Sequence, residues 1–182
     1  MRKIYILIGL CCLILGCKDV RYPINDNKVE INIYIDKEFS KEDVIEIRRG
    51  IEEWNYAMSG AVVLSVVSEE FNMEVSTIKE GGWFILKTDS IRKSREDSLG
   101  HYILGYVNKV GGNYLSIVSD RVQWNLKMIV MHEIGHLLGI KHTERGLMLS
   151  EFVWDEFKCI DVVTMKEFGK IYRINLDKLR YC

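Results

Sequence analysis

The run His132-Glu133-Ile134-Gly135-His136-Leu137-Leu138-Gly139-Ile140-Lys141-His142 gathers three of the chain's four histidines into one short segment. In a helix, residues four apart lie on one face, so His132 and His136 can reach a single ion. Glu133 follows the first of them directly, which sets a carboxylate beside any water on that ion. Gly139 can take the left-handed conformation that ends a helix and turns the chain. The turn lets His142 swing back as a third ligand. Three neutral imidazoles and one open position suit one catalytic Zn2+. H-E-x-x-H alone is short and recurs by chance in helices. The longer run adds two residues at fixed spacing, which makes the metal reading specific.

This run resembles the zinc signature of the metzincin metallopeptidases, and of their matrixin branch in particular. Metzincins place a methionine in a tight turn beneath the metal, and Gly146-Leu147-Met148-Leu149-Ser150 stands where that turn would be. Leu104-Gly105-Tyr106-Val107 and Gly111-Gly112-Asn113-Tyr114-Leu115-Ser116-Ile117 resemble the paired strands that precede the zinc helix in matrixins. Asp161 to Ile174 resembles their closing helix. The resemblance is specific over about residues 101–152 and only architectural before that. It implies an α+β, metzincin-like (zincin) fold: a mixed twisted sheet packed on two helices, with a C-terminal helix below the active-site cleft. It also implies a zinc endopeptidase for extended protein or peptide substrates. His132, His136 and His142 would be the ligands, and Glu133 the base that activates the zinc-bound water. Met148 would be an apolar floor under the metal, and Thr143 to Phe157 one wall of a side-chain pocket. An inactive zinc-containing binding lipoprotein and a zinc amidase for a non-peptide or cell-wall bond are the alternatives. Retention of Glu133 counts against the first, because a structural site needs no base.

The chain also departs from that family. Matrixins commonly carry a second, structural zinc and calcium sites, and no matching His-x-Asp cluster is found here. His101 is the only other histidine and begins an apolar stretch, so it reads as structural. Ser150 stands two residues after Met148, where some metzincins place a tyrosine. No cysteine lies between Cys17 and Cys159, so cysteine-switch inhibition is not expected.

The elements needed to position the motif follow from apolar spacing. Val29 to Asp36 alternates, with Ile31, Ile33 and Ile35 on one face, and reads as a strand. Ser40 to Met58 reads as a helix opened by Ser40 and Asp43, with Val44, Ile47, Ile51 and Trp54 at helical spacing. Strands are expected over Ala61–Val67, Gly82–Thr88, Tyr102–Val107 and Asn113–Val118, and the motif helix over Gln123–Gly139. Its buried face would carry Leu126, Val130, Ile134 and Leu137. Residues 89–100 form a charged stretch that reads as a solvated loop. Either Tyr102–Val107 or Asn113–Val118 could offer its edge to an extended substrate. Asp161 can cap a last helix running through Phe168 and Ile171.

The 182 residues begin with Arg2 and Lys3, followed by the apolar run Ile4–Leu15. That is the pattern of a secretory signal and is short for a spanning helix; an uncleaved signal anchor is the alternative. Leu13-Ile14-Leu15-Gly16-Cys17 resembles a bacterial lipobox, which implies cleavage before Cys17 and its lipidation, including by palmitate. Stable anchoring in a bilayer would follow from the several acyl chains. Lys18, not Asp, comes next. The expectation is an exported bacterial lipoprotein on the outer membrane or cell surface. Residues 1–16 would be the signal peptide, 17–27 a lipidated tether and 28–182 the catalytic domain. The formal net charge of −1, without a basic stripe, gives no reason to expect nucleic acid. A monomer is expected. Cys159 and Cys182 would be the only thiols of the lipidated chain; in an exported domain they fit one disulfide, with two free thiols the alternative.

Overall fold

The computed structural model describes residues 29–72, 82–88, 105–108, 113–118, 125–150 and 159–182. The leader 1–16, Cys17, the tether, the charged stretch 89–100, His101, Gly111-Gly112 and residues 151–157 of the expected pocket wall lie outside them.

The described strands are β1 (Val29–Asp36), β2 (Val62–Phe71), β3 (Gly82–Thr88), β4 (Gly105–Asn108) and β5 (Asn113–Val118). They form one sheet in the order β2-β1-β3-β5-β4. All neighbours are parallel except β4, which runs antiparallel to β5 at one edge. The fold is therefore α+β with a mixed sheet. β5 is interior, so of the two candidate strands only β4 lies at an edge of the sheet among the described residues.

Strand alternation divides the sheet residues between two faces. Ile31, Ile33, Ile35, Trp83, Ile85 and Ile117 join the main core. On the opposite face Tyr34 packs with buried Phe71, Phe84 and Leu86. β2 runs four residues past the expected Val67. Its extension, Ser68-Glu69-Glu70 before the buried Phe71, is mostly polar because this outer strand is half solvated, so it lacks the apolar run of its first half. Register shifts against β1 fall in the same region.

Two helices cover the core face. α1 (Lys41–Met58) begins at Ser40 with a full capping box: the Ser40 side chain accepts from Asp43 N, and Asp43 accepts from Ser40 N. Such a cap contributes about 1 kcal/mol. Ile47, Ile51, Trp54 and Met58 are fully inside. α2 (Leu126–Leu137) packs across α1 and is buried on nearly every side, not along one stripe. It packs between α1 and the β4–β5 edge of the sheet and shares the core with Met165 and Phe168 of α3 (Val162–Tyr172), so even its Met128, Ile129 and Met131 are interior. Trp54 locks the pair: its indole N–H donates 2.8 Å to the Met131 carbonyl, satisfying a polar group that burial would otherwise strand. Phe168 of α3 meets the same indole, with ring centroids 6.4 Å apart. Cys159 and Cys182 are joined by a disulfide, Cα atoms 6.2 Å apart, that ties the C-terminal segment to the entry of α3. No helix among the described residues is long and apolar enough to cross a membrane.

Candidate active site

α2 delivers His132 and His136 on one face, and its termination delivers the third histidine. The helix ends two residues before Gly139. Gly139 N–H donates to the His136 carbonyl and Ile140 N–H to the Gly135 carbonyl, the double bond of a Schellman close. Gly139 has φ of +91°, a conformation that costs other residues a steric penalty. The reversal aims the Ile140 carbonyl back at the helix, where it accepts from His136 Nδ1 at 2.8 Å. Two residues later His142 arrives beside His136.

The Met148 loop fixes the other ring. The Leu147 carbonyl accepts from His132 Nδ1 at 2.8 Å. A carbonyl can only accept, so Nδ1 carries the proton in both helical histidines. The lone pair of each ring then sits on Nε2. The loop is closed by Thr143 N–H on the Met148 carbonyl at 2.8 Å and Leu149 N–H on the Gly146 carbonyl at 3.1 Å. Met148 is fully buried, its sulfur packed directly against Gly135 of α2, where a β-carbon would collide with it.

Asp161 anchors this loop from below. One carboxylate oxygen accepts from Val163 N and Thr164 N at 2.8 and 3.1 Å, capping α3. The other accepts from Leu147 N at 2.7 Å and Thr164 Oγ1 at 2.8 Å. Leu147 is thus held at its N–H by Asp161 while its carbonyl holds His132. From the sequence Asp161 reads as a cap only; its bond to Leu147 is invisible without the fold.

The three histidines place ligand nitrogens within 4.8 Å of one another, the only such group among the described residues. His136 Nε2 and His142 Nε2 are 3.2 Å apart. Nitrogens about 2.0–2.1 Å from a tetrahedral zinc would be roughly 3.3 Å apart, so this spacing fits the edge of a zinc coordination shell. Burial lowers the His132 pKa to about 4; the neighbouring His136 and His142 push the same way and the Leu147 bond opposes. The ring is therefore neutral at pH 7, the form that binds a metal.

Glu133 is buried beside this cluster, and its Oε2 has no hydrogen-bond partner among the described residues. Burial pushes its pKa up to about 8. An unpartnered carboxylate in a dry site is costly, and a nearby cation would favour its ionised form. The orphaned oxygen, the oriented imidazoles and the nitrogen spacing all fit a zinc ion with water beside Glu133. Gly105 of β4 crosses directly over the Glu133 side chain, another close approach that spacing does not disclose.

The matrixin family model matches residues 52–160, more than half the chain, and the chain belongs to the matrixin family. That span holds the C-terminal end of α1, strands β2 to β5, His132, His136, His142 and the Met148 loop. Among solved structures, the chain is similar to high choriolytic enzyme 1, a hatching enzyme zinc-protease from the medaka fish Oryzias latipes. The identity is 15%, the TM-score 0.40, and the match covers 65% of this chain and 48% of that one. No curated protein matches the sequence.

Proposed function

We propose that the chain is a zinc-dependent endopeptidase that hydrolyses peptide bonds in extended protein substrates. The observation that carries this reading is the buried Glu133 Oε2, without a partner among the described residues, next to three converging histidines. A structural metal site has no use for such a group. His132, His136 and His142 would hold the ion. When bound, zinc supplies Lewis acidity toward a carbonyl and acidifies a water. Glu133 takes the proton of the attacking water on its free oxygen and delivers it to the leaving amine. The Leu147 and Ile140 carbonyls keep both helical imidazoles in the Nδ1–H tautomer throughout, so no ligand has to reorient. β4, at the sheet edge, would pair with an extended substrate and set its carbonyl over the site. Met148 serves as packing beneath α2.

Cleavage of a quenched peptide library by wild type, Glu133→Gln and His136→Ala tests this. Glu133→Gln should retain zinc and lose about 10²-fold or more in kcat/KM, as expected when a general base is removed. Undiminished cleavage by Glu133→Gln excludes the mechanism. Cleavage of a cell-wall amide with no peptide hydrolysis would favour the amidase alternative.

The same reading includes a lipid tether at Cys17, supported by the residues that precede it. Cys17→Ser should abolish incorporation of a fatty-acid probe and release the protein from membranes. Equal labelling of both proteins would refute it.

A further inference from the structure

We propose that Gly105 is a positioning residue for Glu133: its missing side chain lets the edge strand act as the wall that sets the carboxylate's place. The proposal rests on the peptidase reading above. A β-carbon at Gly105 would lie 2.9 Å from Glu133 Cγ, 3.0 Å from Oε1 and 3.1 Å from Cδ. The three nearest atoms all belong to Glu133, so the tightest contact is with that side chain. Carbon atoms settle at about 3.5 Å or more, so any side chain at 105 must displace the carboxyl group by roughly half an ångström.

Both walls of this contact are tied into the fold. β4 is registered on β5, with Gly105 opposite Ile117, and Ile117 is fully buried. α2 is held by the Trp54–Met131 bond and by Met148 against Gly135. The carboxyl group is the soft element: its Oε2 has no partner among the described residues to hold it. The displacement therefore falls on the group that must meet the water. Catalytic groups need placement within about 0.5 Å, and a misplacement of about 1 Å can cost roughly 10²-fold. The strand offered to the substrate and the stop that orients the base are then one segment of backbone.

The test is a double-mutant cycle between Gly105→Ala and Glu133→Ala, read by kinetics and by melting temperature. Gly105→Ala should lower kcat about ten-fold, with KM and zinc content within about two-fold of wild type. In metal-free protein, Gly105→Ala should lower the melting temperature, and at least half of that loss should vanish when Glu133→Ala removes the clashing atoms. A kcat within two-fold of wild type would overturn the proposal. So would an equal change in melting temperature in both backgrounds, which would mean the methyl meets something other than Glu133. If the wild-type protein cleaves no peptide, the peptidase reading fails, and the melting cycle still decides whether residues 105 and 133 are coupled.

Discussion

Replacing Asp161 by Asn changes one atom in the support of His132, and its cost can be worked from the contacts. Asp161 accepts four hydrogen bonds, two on each oxygen. Asn has one acceptor oxygen and one NH2 group. With the oxygen toward Val163 N and Thr164 N, the cap of α3 survives, and Asn is among the good capping residues. The NH2 then faces Leu147 N–H, donor against donor, in a buried loop. Turned the other way, the Leu147 bond survives and the cap is lost. Either way at least one buried N–H goes unsatisfied, at about 1–3 kcal/mol. Asp161→Ala loses both sets, about 2–4 kcal/mol in all when roughly 1 kcal/mol is added for the cap. For a chain of this size each kcal/mol lowers the melting temperature by about 2–4 °C. Because Leu147 also holds His132, Asp161→Asn should weaken zinc roughly 10- to 100-fold, the usual cost of losing an outer support. Competitive chelator titration at fixed pH reads the affinity, and calorimetry of metal-free protein reads the stability. Zinc affinity unchanged in Asp161→Asn, with stability lowered as expected, would show that Leu147 keeps its place without Asp161 and would refute the reasoning.

Metal analysis of the purified protein should find about one zinc per chain, since the described residues hold one three-histidine cluster; two tightly held ions would reveal a second site. His136→Ala should lose more affinity than the roughly 10²-fold expected of an outer partner; near-stoichiometric zinc in that variant would contradict its role as a ligand. Reducing the Cys159–Cys182 bond, which spans 23 residues, should cost roughly 3 kcal/mol and lower the melting temperature by about 6–12 °C. An unchanged melt after complete reduction, verified by mass spectrometry, would contradict this. In metal-free protein, folded Glu133 keeps its proton up to about pH 8 while the unfolded chain releases it near 4.5, so its contribution falls as pH rises through that window. Folded His132 titrates near 4 and unfolded near 6.5, so its contribution grows with pH and opposes Glu133 until about 6.5. Stability should therefore decline between about pH 6.5 and 8, and Glu133→Gln should flatten that decline; the same slope in both proteins would mean another group titrates there.

What could be read from the chain and what could not divide along a physical line. The grouping of three histidines beside a carboxylate was legible because imidazoles and a carboxylate must be encoded as residue types, and helical periodicity fixes which of them share a face. The stripe of α1 and the alternation of β1 were legible for the same reason: burial selects side chains. The contacts that hold those imidazoles are different in kind. His132 is held by the carbonyl of Leu147 and His136 by that of Ile140, and a backbone carbonyl carries no residue identity. Only the fold brings position 147 to position 132. Asp161 shows the boundary within one side chain. One oxygen acts on residues two and three positions away and is predictable as a cap, while the other reaches fourteen positions back to Leu147 and is not. Gly105 marks the far limit, where the informative feature is the space a side chain would fill, and that space exists only because β4 crosses α2. The end of β2 was not legible for a related reason: Ser68, Glu69 and Glu70 of this outer strand are partly solvated, so its hydrogen-bonded backbone leaves little apolar trace before Phe71. The motif thus names the chemistry, while backbone groups and close approaches that leave no mark in the sequence hold that chemistry in place.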